Sequence, residues 1–164
     1  MLSTPLDSSI INAAVTQYWR VSVVELTAST QSDLVALVRA GGARAGDVIA
    51  AEYQSAGRGR LTRTFDAPKS SALLFSLYIE PQRNRDDWGW IPLIAGVSVA
   101  QRLSAFNAQV KWPNDILIDN KKVSGLITEV IGNGAVIGIG INVAMEPLEL
   151  PVPTATSLFI EGAQ

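Results

Sequence analysis

The segment 123–143, VSGLITEVIGNGAVIGIGINV, decides the fold class. Two runs rich in Val, Ile and Gly, 123–131 and 135–143, flank Gly132-Asn133-Gly134. Glycine and asparagine tolerate the positive φ angles of tight turns, and β-branched residues suit a pleated strand, so the segment predicts an antiparallel hairpin. Working outward, residues 109–111 and 116–119 read as short strands broken by Trp112-Pro113-Asn114-Asp115, and Asp119-Asn120-Lys121-Lys122 reads as another hairpin turn. Further upstream, Tyr18–Leu26, Val48–Tyr53 and Ser71–Glu80 carry strand-like apolar content. Between them, Thr27-Ala28-Ser29-Thr30 offers hydroxyls for a helix N-cap, Leu34, Leu37 and Val38 have helical spacing, and Gly41-Gly42 ends the helix. A second helix is predicted over Trp88–Phe106, with Pro92 in its first turn and Leu93, Val97, Ala100 and Leu103 on its core face. Residues 1–17 read as a loose lead-in with a short helix near Ile10–Gln17. The expected architecture is one α+β domain over residues 1–164, a mixed, largely antiparallel sheet with helices packed on one face.

Composition narrows the chemistry. The chain has 164 residues and is 48% hydrophobic, enough for one domain with a real core. Thirteen basic and fifteen acidic residues give a net charge of −2, which argues against a general nucleic-acid binder. Cysteine and histidine are both absent, which removes thiolate metal sites, cysteine nucleophiles and the usual general base. Chemistry must then run on Lys, Arg, carboxylates, backbone amides and a bound ion, an inventory suited to positioning and electrostatic stabilisation. The first residues carry neither a basic n-region nor a long apolar core, and Ile91–Ala100 is far short of the ~20 residues that span a bilayer, so a soluble cytoplasmic protein is expected.

Ala51–Arg63 holds the most chemically loaded loop. After a strand ending Glu52-Tyr53-Gln54 it alternates Gly57 and Gly59 with Arg58 and Arg60. Glycines let the backbone bend and approach a ligand, and each guanidinium can fork onto a carboxylate or phosphate. The bland reading, a solvated loop with idle arginines, is equally consistent with this stretch alone.

A second stretch changes that balance. Lys111-Trp112-Pro113-Asn114-Asp115 is followed by Lys122-Val123-Ser124-Gly125, then by Gly138-Ile139-Gly140-Ile141-Asn142 and Ala155-Thr156-Ser157-Leu158. Taken in this order with the arginine loop, these motifs resemble the biotin–protein ligases, of the monofunctional type without an N-terminal DNA-binding domain. The resemblance runs from about Glu25 to Leu158. It implies the ligase fold related to class II aminoacyl-tRNA synthetases, and ATP-dependent activation of biotin to biotinyl-5′-AMP followed by transfer to a lysine of a biotin carboxyl carrier domain.

By resemblance, Arg60 lies over the carboxylate and α-phosphate, Gly57 and Arg58 belong to a loop that orders on ligand binding, and Lys122 stabilises the reacting carboxylate. Ser29, Thr30 and Gln54 would line the ureido end of biotin, and Gly125 would let a strand approach its apolar part. Lys111, Trp112, Asn114 and Asn142 are implied near ATP and the adenylate, and Asp115 is the candidate ligand for Mg²⁺, a hard cation that takes oxygen donors. Bland readings stand beside these: a solvated Lys122 in a turn, an Asx-type turn at Asn114-Asp115, a helix cap at Ser29-Thr30, a bulge at Gly125.

The chain departs from the family pattern at Gln31, where asparagine is common, and at Thr62, where glycine is usual. It also stops at Gln164, where the family continues into helices and a small C-terminal β domain, so that domain is expected to be absent. No membrane or DNA partner is expected, and an exposed edge strand can support a homodimer. Two alternatives stay open: a non-catalytic, truncated biotin-binding homologue, and a lipoate– or octanoate–protein ligase-type enzyme.

Overall fold

The computed structural model describes residues 4–61 and 63–163; Thr62, one of the two departures noted above, lies outside the described residues. The chain runs α1 (Ser8–Ala14), β1 (Arg20–Thr27), α2 (Thr30–Arg39), β2 (Asp47–Gln54), β3 (Ala72–Ile79), α3 (Ile91–Arg102), β4 (Gln109–Lys111), β5 (Asp115–Ile118), β6 (Lys121–Ile131) and β7 (Gly134–Asn142). The strands form one seven-stranded sheet in the order β1-β2-β3-β7-β6-β5-β4. Only β1 and β2 pair in parallel, joined through α2; every other pairing is antiparallel. The expected mixed, largely antiparallel α+β sheet is what forms.

The hairpin that decided the class is present, with a turn shorter than the sequence suggested. Ile131 pairs with Gly134, leaving Gly132 and Asn133 as a two-residue loop, and Gly132 has φ +56°. The β5–β6 turn is likewise only Asp119-Asn120, at φ +46° and +64°. Two successive positive φ angles match the right-handed twist of the flanking strands. Lys121 and Lys122 therefore belong to β6 and not to the turn.

The helices do not share a face, which corrects the expected one-sided packing. Val136 of β7 packs with Leu34 and Val35 of α2, whereas Ala135, Ile137 and Ile139 of the same strand pack with Ile91 and Val99 of α3. Side chains alternate along a strand, so α2 and α3 cover opposite sides of the sheet. The physical reason is visible in β7 itself, where eight of nine residues are buried. A strand that is apolar at consecutive positions has both faces covered.

The second helix is also shorter than predicted and rotated. A 3₁₀ turn over Arg85–Trp90 precedes α3, and another over Ser104–Phe106 follows it. Ile91, Ala95 and Val99 pack inward together with the predicted Ala100 and Leu103, while Val97 is 40% exposed. In α2, Leu34, Val35 and Val38 pack inward and Leu37 points out. The lead-in is organised as well. Asp7 caps α1 by accepting from the Ser9 and Ile10 amides, and Asn12 is tied to the Val21 backbone through both ends of its carboxamide.

Candidate active site

The β1–α2 junction, the loop after β2, the β4–β5 turn and the floor strands β6 and β7 converge on a cleft of about 440 Å³ on the α2 side of the sheet. Local folding places each group. Ser29 caps α2, its Oγ accepting from the Ser32 amide at 3.4 Å. That leaves the first amides of the helix at the end of the cleft, where they satisfy a side chain instead of a helical carbonyl. The Thr30 amide and hydroxyl both donate to Gln54 Oε1, at 2.7 and 3.0 Å, and Thr30 Oγ1 lies 2.9 Å from Ser76 Oγ. Ser29, Thr30 and Ser76 are at most 2% exposed. The inner end of the cleft is thus a neutral, internally bonded network.

The rim is different. Arg58, Arg60, Arg63, Lys111 and Lys122 all line the cleft, against a single lining carboxylate, Asp115. Five cations to one anion make a site for negative charge. Arg58 is held on one side: its Nη1 reaches Glu129 Oε1 at 2.9 Å and Ser32 Oγ at 3.5 Å, tying the loop to β6 and α2. Gly57 is buried at the root of the loop, where its carbonyl accepts from the Phe65 amide at 3.0 Å. A Cβ at Gly57 would stand 2.3 Å from the Phe65 carbonyl oxygen, so only glycine permits this closure.

Lys122 sits between rim and floor. Its Nζ meets Asp115 Oδ1 at 2.7 Å, and its backbone is clamped by Thr154 O and the Thr156 amide, both at 2.8 Å. Asp115, the expected metal ligand, is thus paired with Lys122 in this structure. Among the described residues no group of three His, Cys, Asp or Glu side chains could hold an ion.

The other predicted residues divide. Ser29, Thr30, Gln54, Arg58, Arg60, Lys111, Trp112, Asn114, Asp115, Lys122 and Gly125 all line the cleft. Asn114 anchors its turn to β6, donating from Nδ2 to Leu126 O at 2.9 Å and accepting from the Leu126 amide at 2.8 Å. Trp112 is 78% exposed at the mouth, so it is not a core residue. Gly57 supports the loop from outside the lining. Asn142 is not brought into the cleft; it is buried, with Nδ2 donating to Thr156 O at 2.9 Å.

Sequence reasoning missed four contributors. Phe65 lies over the floor, where a Cβ on Gly140 would be 2.7 Å from its ring. Ser76 joins the inner network. Gln31 and Glu129 link across the wall, Nε2 to Oε1, at 3.1 Å. Glu129 was findable, because it stands four residues after Gly125 on β6 and so faces the same side. Phe65 lies in an irregular segment with no periodic signal.

Comparison with known proteins agrees with this architecture. Residues 23–146 match the Biotin/lipoate A/B protein ligase family. The chain belongs to that family. A biotin--[acetyl-CoA-carboxylase] ligase of Mycobacterium tuberculosis is 36% identical over 152 residues, covering 88% of this chain and 57% of the relative. The bifunctional ligase/repressor BirA of Escherichia coli is 34% identical over 137 residues, covering 79% and 42%. Among solved structures, a biotin protein ligase from Aquifex aeolicus in complex with biotin and ATP superposes with a TM-score of 0.72 at 31% identity, over 85% of this chain and 59% of that one. The chain thus spans less than two thirds of these relatives. No helix among the described residues is long and apolar enough to cross a membrane.

Proposed function

We propose that this chain activates biotin with MgATP and transfers it to a lysine of a biotin carboxyl carrier domain. The observation that carries the reading is the joining, in one cleft, of a neutral hydrogen-bonding inner end to a cationic rim, with Lys122 fixed between them by Asp115. Biotin has a neutral ureido head and an anionic tail, and the cleft has the same polarity. Thr30 holds Gln54 with its carboxamide nitrogen beside Gly57, where it can donate to the ureido carbonyl. The apolar body of the ligand would lie on the Gly125–Gly140 floor beneath Phe65. Its carboxylate then reaches Lys122 and the arginine loop.

In the first step a carboxylate oxygen attacks the α-phosphorus of ATP, the bond to the bridging oxygen of the β-phosphate breaks, and pyrophosphate leaves. Two anions must meet, so the rim cations lower the barrier by neutralising charge and aligning the groups. A magnesium ion bound to the triphosphate supplies further charge neutralisation. In the second step the carrier lysine's amine attacks the acyl carbon, the acyl–oxygen bond to AMP breaks, and the amine gives up a proton. Lys122, Arg60 and Lys111 all line this cleft and are the cations assigned to both steps.

The test is biotin-dependent exchange of pyrophosphate into ATP by the 164-residue chain, with lipoate as the competing acid. Exchange with biotin and none with lipoate is expected. Calorimetric biotin binding without exchange would instead support a non-catalytic biotin binder, and exchange with lipoate a lipoate–protein ligase-type enzyme.

A further inference from the structure

Counting donors and acceptors at the inner end leaves one group unexplained. Gln54 Oε1 already accepts two hydrogen bonds, from the Thr30 amide and hydroxyl. A carboxamide oxygen has two lone pairs, so this one is filled, and Gln54 offers an incoming ligand only its NH₂ donors. A ureido ring presents a carbonyl and also two N–H groups. Those N–H groups need an acceptor that Gln54 no longer has.

Gln31 supplies one. Its side chain is 3% exposed and lines the cleft. Its NH₂ is placed against two acceptors, Glu129 Oε1 at 3.1 Å and Val136 O at 3.2 Å. That placement fixes which end of the carboxamide is which, because a flip would set oxygen against oxygen twice. The oxygen therefore faces the other way, buried and without a protein partner. It rests against Gly138 of the cleft floor: a Cβ on Gly138 would come within 2.7 Å of it, so the absence of a side chain there makes the room the oxygen occupies. Ser76 Oγ, in the Thr30–Gln54 network, lies 3.3 Å from the same position. A buried acceptor left unpaired is costly, and one on a residue that lines a cleft has most to gain from a donor that arrives with the ligand.

We propose that Gln31 Oε1 is a specificity-determining acceptor that takes a hydrogen bond from a ureido N–H of the bound acid, complementing the donor at Gln54. This deepens the proposed function and rests on it. It also gives the position after Ser29-Thr30 a chemical role separate from the helix cap. An acid whose head carries no N–H, such as one with a dithiolane ring, leaves the oxygen unpaired, and a site built around a hydrogen bond rejects such analogues strongly.

The experiment is calorimetric binding of biotin and of its two cyclic carbamate analogues, in each of which one ureido N–H is replaced by ring oxygen. The native chain is expected to prefer biotin to at least one carbamate by about 10- to 100-fold. Gln31→Met removes the oxygen at similar volume, and Gln31→Asn withdraws it by one methylene. Both variants should cut that preference to about threefold or less, by weakening biotin and not the carbamate. Glu129→Gln alters the other end of the Gln31 carboxamide while leaving its oxygen in place, and should keep the preference. Folding is checked for each variant by its melting temperature, so that loss of the whole protein is not read as loss of a contact. Full preference in whichever of Gln31→Met and Gln31→Asn folds overturns the proposal. So does a Glu129→Gln variant that loses it as completely as Gln31→Met. A native chain that binds biotin and both carbamates equally also overturns it while the proposed function stands; a native chain that binds none of them overturns both.

Discussion

At the inner end of the cleft, Thr30, Gln54 and Ser76 are neutral, sheltered and bonded to one another; at the rim, Arg58, Arg60, Arg63 and Lys111 are charged and exposed. The inner groups sit on regular structure, the first turn of α2, the end of β2 and the middle of β3, so their positions are set by the sheet and the helix that packs on it. The rim arginines sit on a loop, and Lys111 ends the short strand β4. Positions that are paid for in folding can read a ligand's shape, while exposed cations gather negative charge wherever the ligand presents it. The difference teaches a division of labour: affinity and selectivity should follow the inner residues, and rate should follow the residues nearest the reacting atoms.

Lys122→Ala gives the largest break of that division. The rate of pyrophosphate exchange should fall about 10²- to 10³-fold, the size seen when one pre-placed electrostatic donor is lost. Biotin affinity should stay within a few fold. The Lys122–Asp115 pair is partly exposed, so its loss should cost little stability, of the order of 0–1 kcal/mol. An unchanged exchange rate would make Lys122 a surface charge.

Gln54→Ala tests the other half. It strips the Thr30 amide and hydroxyl of their acceptor and removes the donor offered to the ureido carbonyl. Biotin binding should weaken by about 1–3 kcal/mol, while the rate at saturating biotin changes much less. Equal affinity would place the ureido head elsewhere.

How much of this was legible in the sequence follows the same line between inner and outer parts. The hairpins were readable because Gly132-Asn133 and Asp119-Asn120 are turn residues between Val- and Ile-rich runs. The arginine loop, Lys122 and the Ser29-Thr30 cap were readable as motifs. The side of the sheet taken by each helix was read wrongly, as one shared face, although the unbroken apolar run of β7 already implies two covered faces. The phase of α3 was lost because Pro92 marks its start without fixing which stripe packs, and the 3₁₀ turns at both ends blur the period. The lysine partner of Asp115 was not legible for another reason. The local chemistry of Asp115, a carboxylate beside Asn114 in a turn, suits a cation of either kind. Only the register that pairs Leu117 with Lys122 across a bulge shows that the cation is a lysine. Gln31 and Glu129 pair across 98 residues of sequence, and no local pattern joins them.

Asp115→Asn separates the two roles open to that carboxylate, positioning Lys122 and holding a metal ion. If Asp115 positions Lys122, the variant keeps the lysine but loosens its aim. Turnover should then fall on the order of tenfold, with the magnesium concentration for half-maximal rate unchanged. A large rise in that magnesium requirement with turnover restored at saturation would return Asp115 to the metal.

The smallest expected effect is the most discriminating, because it moves two quantities in opposite directions. Gly125 lies in β6 beneath Lys122, and a Cβ there would stand 3.0 Å from both Cε and Nζ of the lysine, with the Phe65 ring at 3.7 Å. Its backbone is an ordinary strand, paired with Asp115 on one side and Gly140 on the other, so alanine fits the chain conformation. Glycine in a strand is entropically unfavourable, and Gly125→Ala should raise stability by roughly 0.5–1 kcal/mol, read as a higher melting temperature. The flexible end of Lys122 can yield a few tenths of an ångström, so the lysine is displaced and not lost. Turnover should drop by about two- to threefold with biotin affinity nearly constant. A stabilised variant with undiminished turnover would mean that the ammonium need not be placed so finely, and that the rim acts through its summed charge more than through the aim of any one cation.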